Sequence, residues 1–162
     1  LMIRRPPRST QSRSSAASDV YKRQTCGREM DIESPPKKNF LEEFWWDNIK
    51  EMVLGCAINY FFNYLKSRFK LKKIVHISPG SGNADLWRIE QQQELFALLG
   101  DVNEQIGVEL TPSCLMIPNK SVSGIVFASE VDFRACQLCR REKCSHRQAN
   151  FDQHLWDSML KG

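Results

Sequence analysis

The feature that most restricts the fold of this chain is a long row of apolar residues at helical spacing between Asn39 and Phe69. Residues that recur every three or four positions lie on one face of an α-helix. The members of the row are Leu41, Trp45, Ile49, Met52, Cys56 and Tyr60. We therefore predict one long helix over this range, with the row turned toward the protein core.

The apolar part of this helix is too short to cross a membrane. The densest apolar run extends from Met52 to Phe62, only eleven residues, and it contains Asn59. A membrane-spanning helix needs about 20 apolar residues. We therefore predict no membrane segment here.

The pattern after the helix alternates between short strands and further helices. Lys73 to Ser78 is a β-branched run that ends at a Pro-Gly-Ser-Gly turn over 79–82. The other predicted elements are a helix from Asn83 or Asp85 to Leu99 with Leu86, Ile89, Leu95, Phe96 and Leu99 inward, strands at Val108–Leu110 and Ser121–Ala128, and a closing helix at Ala149–Leu160. This order is typical of an α+β fold with a mixed or antiparallel sheet and flanking helices.

The first 24 residues are predicted to be a disordered leader. They contain adjacent prolines, a Ser/Ala run and no apolar periodicity, so they offer no face for a core. Two stretches, IRRPPRST and SSAASDVYKRQ, resemble translated sequencing-adapter strings. We therefore expect an artefactual leader at 1–24, followed by a single N-terminally truncated domain over 25–162.

The net charge of the chain argues against nucleic-acid binding. The formal charge is +4, but residues 1–24 alone carry +5, which leaves -1 for the remaining 138 residues. The basic excess therefore lies in the leader and not on a predicted folded surface. A zinc-dependent nucleic-acid binder is accordingly disfavoured.

A cysteine-rich loop over 136–147 is the strongest candidate for metal binding. It contains Cys136, Cys139, Cys144 and His146 within eleven residues, where no apolar pattern assigns them to a core. Thiolate and imidazole ligands suit zinc, and three cysteines with an open position suit an iron-sulfur cluster. A disulfide with a third thiol, or three reduced thiols, are the alternatives. A secretion signal is not evident, so a disulfide is disfavoured.

Two other segments carry weaker signals for ligand binding. The turn at 79–82 links a strand to a helix N-terminus and offers backbone N–H groups to an anion, although it is neither a dinucleotide fingerprint nor a Walker loop. Residues 110–127 combine hydroxyl side chains with apolar ones. They fit a small-molecule groove or, equally, two ordinary sheet strands.

Several blocks of this sequence, in order, resemble the activation domain of vitamin B12-dependent methionine synthase, in particular its stand-alone relatives. The blocks cover about half of the chain, from His76 to Asp152. They are Ser-Pro-Gly-Ser at 78–81, LFALLG at 95–100, IGV with LT at 106–111, MIP at 116–118, KSVSG at 120–124 and CQLCRREKCSHR at 136–147.

The resemblance implies an α+β domain that binds S-adenosylmethionine (AdoMet) and presents its methyl group to cobalamin held by a separate protein or by other methionine synthase modules. Such a domain would be a component of a cytoplasmic methyltransferase system that regenerates methylcobalamin. The cysteine loop marks the stand-alone group, and we hypothesise that it holds an iron-sulfur cluster that supplies the reducing electron.

The resemblance also assigns candidate AdoMet contacts. The family motif Arg-x-x-x-Gly-Tyr aligns with His76, Gly80 and Ser81, so histidine replaces arginine and serine replaces tyrosine. The full set of predicted cofactor-binding residues is His76, Pro79, Gly80, Ser81, Ser121, Ser123 and Gly124. A second interpretation is a non-catalytic, metal-stabilised adaptor that docks a corrinoid protein without binding AdoMet.

Overall fold

The computed structural model describes residues 20–32, 39–80, 87–129, 134–144 and 147–160. Its strands are β1 (Val20–Thr25), β2 (Ile74–Ile77), β3 (Glu109–Leu110), β4 (Met116–Ile117) and β5 (Ser121–Ala128), and its helices are α1 (Glu29–Ile32), α2 (Phe40–Phe69), α3 (Gln92–Leu99), α4 (Val102–Ile106) and α5 (Gln153–Leu160). Short 3-10 helices cover Ile89–Gln91 and Ala135–Leu138. The predicted α+β class is confirmed.

A three-stranded antiparallel sheet with the order β1-β5-β2 forms the centre of the fold. Lys22 of β1 lies opposite Gly124 of β5, and His76 of β2 lies opposite Val126. The predicted strand at Ser121–Ala128 is confirmed at both ends. β3 and β4 form a separate antiparallel pair, so the strand predicted at Val108–Leu110 is not in the same sheet as β5.

Both faces of this sheet are covered by apolar side chains. On one face, Val126 packs with Phe61 and Leu65 of α2. Because side chains alternate along a strand, the neighbours of Val126 point the other way. Ile125 joins the cluster formed by α3 and α4, and Phe127 joins a cluster around Trp156 of α5. The strand β5 is therefore the middle of three layers.

The ends of α2 follow the predicted limits because both ends are capped. At the start, the Asn39 side chain accepts a hydrogen bond from the Glu42 backbone N–H at 2.9 Å. At the end, Lys70 adopts a left-handed conformation with φ 54° and donates its backbone N–H to the Lys66 carbonyl. The helix therefore begins and ends where the sequence pattern indicates.

The predicted orientation of α2 is wrong. The row expected in the core is exposed, including Trp45 at 59%, Met52 at 70% and Tyr60 at 68%. The buried side chains are Phe61 and Leu65, which belong to a second apolar row. A helix of 30 residues is about 45 Å long, whereas an eight-residue strand spans about 27 Å. The sheet is thus too short to cover the first half of α2.

The helix predicted to begin at Asn83 or Asp85 starts later. Residues 81–86 lie outside the described part of the chain, and the α-helix itself begins at Gln92. Leu95 and Leu99 are buried as predicted, but Ile89 lies in the preceding 3-10 turn with 40% exposure. A 3-10 turn winds its side chains at three residues per turn, which moves Ile89 off the buried α-helical face.

The expectation that the whole of 1–24 is a disordered leader is wrong for residues 20–24. They form β1 and pair along β5, while residues 1–19 lie outside the described ranges. The pairing provides hydrogen-bond partners for one edge of β5. The side chains of β1 fit less well, because Lys22 and Gln24 are buried. Lys22 Nζ and Gln24 Oε1 have no hydrogen-bond partner among the described residues.

The C-terminal segment closes the sheet face opposite α2. Trp156 of α5 is buried with Val75 and Leu138, and Phe151 and Leu155 pack around them. The closing helix is therefore confirmed, although it begins at Gln153 and not at Ala149. Among the described residues, the longest apolar stretch of any helix falls short of a membrane span.

The buried ammonium of Lys22 yields a first prediction. Burial lowers the pKa of Lys22 from 10.5 to about 8. The unfolded chain therefore binds this proton more tightly, and the free energy of unfolding should rise as the pH increases from 8 to 10.5 and level off above that range. Lys22→Met should remove this rise and stabilise the protein at pH 7 by on the order of 3 kcal/mol. Urea titrations of both proteins at pH 7 and at pH 10.5 measure these differences. A less stable Lys22→Met protein at pH 7 would contradict the argument.

Candidate functional site

The turn that follows β2 is the described part of the predicted AdoMet motif. Pro79 is buried, and Gly80 has a left-handed φ of +71°. The Gly80 N–H donates to the Trp87 carbonyl at 2.9 Å. A side chain here would be strained, since a Cβ on Gly80 would lie 2.8 Å from Ile89 Cδ1. The turn therefore requires glycine at this position. Ser81 lies outside the described residues.

Gly124 allows β5 to lie close to this turn. A Cβ on Gly124 would clash with the Ile77 carbonyl oxygen and would lie 2.7 Å from Ser78 Oγ. Backbone of β2 thus fills the space that a side chain on β5 would need. The glycine is required for packing, and it fixes the turn at 78–80 against the middle of the sheet.

His76 lies in a small cluster with Lys22 and Phe62 on the α2 side of the sheet. Its ring is 5.0 Å from the Phe62 ring, and Lys22 Nζ is 5.1 Å from the centre of that same ring. The His76 residue is exposed, but desolvation by its neighbours, and then the Lys22 charge, lower the pKa of its imidazole to about 4. The imidazole is therefore neutral at physiological pH and cannot act as a cationic partner for a carboxylate.

Ser121 and Ser123 lie on the opposite face of the sheet from His76. The Ser121 hydroxyl donates to the Pro118 carbonyl at 2.7 Å and is 2.9 Å from Thr25 Oγ1, so its hydrogen bonds stay within the protein. Ser123 is buried, and its hydroxyl has no hydrogen-bond partner within the described ranges. An unsatisfied buried hydroxyl typically costs about 1–3 kcal/mol.

The structure therefore brings only part of the predicted site together. Gly124 contacts Ile77 and Ser78, the residues directly before Pro79 and Gly80. His76 lies on the same face of the sheet as Gly124, opposite Val126. The two serines are separated from them by the sheet. Sequence reasoning missed the two partners of His76. Phe62 does not belong to the apolar row of α2 that was predicted to face the core, and Lys22 lies in the segment expected to be disordered.

An arginine organises the described part of the cysteine loop. The Arg147 guanidinium donates to the carbonyl oxygens of Cys136 at 3.4 Å and Cys139 at 3.3 Å, and also to those of Arg141 and Ala149. Cys136 Sγ accepts a hydrogen bond from the Gln148 N–H at 3.4 Å. The backbone of the loop is therefore held together by the Arg147 guanidinium.

The thiols of this loop do not converge on one point. Within the described ranges, no three His, Cys, Asp or Glu side chains lie close enough to hold a metal ion. His146 lies outside those ranges. None of the six cysteines, all of which are described, forms a disulfide, and Cys144 is exposed. The disulfide alternative is therefore wrong, whereas the metal site stays a prediction.

A groove of about 730 Å³ follows the outer edge of β1 between α2 and α3. Its walls include Cys56 and Tyr60 from α2 and Leu98 and Leu99 from α3, and residues 21–25 of β1 also line it. No described strand pairs with this edge of β1. The groove is distinct from the turn at 78–80, which lies at the far side of β5 beside β2.

Together these features define a three-layer α+β domain in which a glycine turn, held against the central strand, is the candidate ligand-binding element. A sequence model of the vitamin B12-dependent methionine synthase activation domain matches residues 66–148, just over half of the chain. This range includes β2, the turn, β5 and the cysteine loop. A search of curated proteins returns no match.

The chain belongs to the family of activation domains of vitamin B12-dependent methionine synthase. Membership implies a role in corrinoid reactivation together with cobalamin-binding methionine synthase modules. The family interpretation made from the sequence is thereby confirmed. The individual cofactor contacts are not tested by it.

The His76 cluster yields a second prediction. Removing the Lys22 charge by Lys22→Met should raise the pKa of His76 above about 4, yet leave it below the usual 6.5 because desolvation by the surrounding residues remains. NMR titration of the His76 imidazole signals in the wild type and in the variant measures this change. An unchanged His76 pKa would show that Lys22 is not close to the ring in solution.

Proposed function

We propose that this chain binds AdoMet at the turn over 78–80 and supports reductive methylation of cobalt on a separate cobalamin-binding protein. The observation that carries the proposal is the family match, because it spans both the turn and the strand that holds it. AdoMet supplies a methyl group bound to a sulfonium sulfur, and an external reductant supplies one electron to oxidised cobalt.

The contribution of the chain itself is positioning. In a methyl transfer of this type, the donor and acceptor must meet in a narrow range of distances and angles. A rigid turn suits that task better than a flexible loop. Here the turn is fixed by the buried Pro79, by the Gly80 hydrogen bond to Trp87 and by the close contact of Gly124 with β2.

The electrostatics of the site argue against a charged side chain as the partner of the AdoMet carboxylate. His76 is neutral at physiological pH, and Lys22 is almost fully buried, so neither presents a charge to a ligand at the surface of the turn. We therefore propose that AdoMet is held mainly by backbone groups of the turn and by van der Waals contact. The expected affinity for AdoMet is modest, since no bidentate hydrogen bond from an arginine side chain to its carboxylate contributes.

We further propose a cytoplasmic location and a partner that carries the corrinoid. The absence of disulfides among the six described cysteines fits a reducing compartment. The alternative, an adaptor that docks a corrinoid protein without AdoMet, gains support from the separation of His76 from Ser121 and Ser123 by the sheet. The two functions differ in whether AdoMet binds at all.

A metal at the cysteine loop is a separate proposal. Its support is chemical: Cys136 already accepts a backbone N–H, and hydrogen bonds to sulfur are common around metal thiolates. The cationic side chain of Arg147 donates to backbone carbonyls of the same loop, which places a positive charge beside the proposed anionic ligands.

The third prediction concerns AdoMet binding and the Gly80 turn. Gly80→Ala should weaken AdoMet binding by about tenfold or more, because the added Cβ strains a left-handed residue and clashes with Ile89. Gly100→Ala is the matched control. Gly100 also has positive φ, at +77°, but a Cβ there makes only an ordinary contact with Gln105. Isothermal titration calorimetry with millimolar AdoMet measures both.

Three outcomes of that titration are informative. Loss of binding in Gly80→Ala with binding retained in Gly100→Ala supports the proposed site. Equal effects of the two substitutions would contradict it. If the wild-type chain gives no heat with AdoMet but still binds a cobalamin-loaded partner, the adaptor function replaces the proposed one.

The fourth prediction concerns the metal. Protein prepared without oxygen should contain stoichiometric metal, and a Cys136→Ser, Cys139→Ser double variant should lose it. Cys56 is an exposed cysteine on α2 outside the loop, so the Cys56→Ser variant should retain the metal. Elemental and sulfide analysis distinguishes the cases: iron with sulfide indicates a cluster, zinc alone indicates a structural site, and wild-type protein without metal would contradict the proposal.

A further inference from the structure

The exposed row on α2 is the feature that the proposed function leaves unexplained. The row and its neighbours form a surface, here called the α2 stripe, whose members are Leu41, Trp45, Ile49, Met52, Val53, Cys56, Tyr60 and Tyr64. It extends over 24 residues of helix, about 35 Å. Apolar surfaces of this length are uncommon on monomeric proteins and mark interaction sites.

The first half of α2 is attached to the protein by contacts at the border of the stripe and beyond it. Trp46 Nε1 donates to the Met30 carbonyl at 2.9 Å, and Lys50 pairs with Asp31 at 2.7 Å. Lys120 binds Asp47 at 2.9 Å. These contacts hold the first half of α2 in place, so the helix cannot simply rotate to bury the stripe against its own sheet.

We propose that the α2 stripe binds the same stripe of a second copy of this chain, with the two helices antiparallel. The order of the side chains fits this arrangement because the stripe is nearly symmetric about its midpoint. When two copies are centred between Met52 and Val53, Ile49 of one copy faces Cys56 of the other, because these two residues lie almost on one line along the helix. Trp45, Met52, Val53 and Tyr60 flank this central contact on both copies, so its surroundings are apolar.

Charge favours the antiparallel direction. The first turn of α2 carries Glu42 and Glu43, and the last turn carries Lys66 and Arg68. Antiparallel packing brings the acidic end of one helix near the basic end of the other, whereas parallel packing would bring like charges together at both ends. A twofold symmetric dimer uses the same surface on both copies and closes the assembly at two subunits.

Cross-linking tests both contact and direction. In the proposed dimer the two Cys56 residues are offset by seven residues, about 10 Å along the axis, too far for a disulfide. Ile49→Cys places a new thiol opposite Cys56 of the other copy. Mild oxidation should therefore give a disulfide-linked dimer with a 49–56 peptide in the variant, and no 56–56 link in the wild type. A 56–56 link in the wild type would show parallel packing and overturn the proposal.

Sedimentation tests the strength of the contact. Wild-type chain at about 50 µM should sediment as a dimer. Met52→Glu should raise the dimer Kd by about a hundredfold, since the charge is buried twice in a symmetric interface. Leu115→Glu makes the same change at an exposed apolar residue outside the stripe and should have no effect. A monomeric wild type, or a dimer indifferent to Met52→Glu, would overturn the proposal and leave the stripe to a different partner.

A charge exchange provides a final test of direction. Glu42→Lys with Glu43→Lys should weaken the dimer, and adding Lys66→Glu with Arg68→Glu to the same chain should restore it. Failure of the fourfold variant to recover, while it remains folded by circular dichroism, would exclude the antiparallel contact.

Discussion

The fold depends on the close contact between β5 and β2 at Gly124. Because this residue has no side chain, the Ile77 carbonyl and the Ser78 hydroxyl lie directly against the central strand. That contact positions the turn at 78–80, and the alternation of β5 then sends Val126 toward α2 and Ile125 toward α3. The packing of the core, the order of the layers and the position of the candidate site therefore all depend on β5, whose backbone β2 approaches closely at Gly124.

Much of this architecture could be predicted from sequence, and the failures have physical causes. The limits of α2 and β5 were predictable because caps and β-branched runs are local signals. The buried face of α2 was not, because the helix has two apolar rows and only the tertiary contacts decide which row meets the sheet. β1 was missed for a similar reason: it contains the strand-favouring Val20, Tyr21 and Thr25, but it follows a Ser- and Arg-rich stretch, and its partner β5 lies far along the chain.

The candidate site was predictable only where it is local. Pro79 and Gly80 were identified from a short turn motif, and they follow directly on Ile77 and Ser78, which contact Gly124. The environment of His76 required knowledge of two distant segments, since Phe62 and Lys22 are separated from it in the sequence. Likewise, the role of Arg147 in gathering the carbonyls of the cysteine loop has no sequence signature, because any of several basic residues there was equally eligible.

The central claim is that this chain places a methyl donor within reach of cobalt on another protein. It is tested most directly by methyl transfer in the complete system: AdoMet with a labelled methyl group, a chemical reductant, and a cobalamin-binding protein whose cobalt has been oxidised. The account predicts label in the cobalamin fraction at a rate that depends on the amount of this chain added. Equal labelling with and without the chain would contradict it.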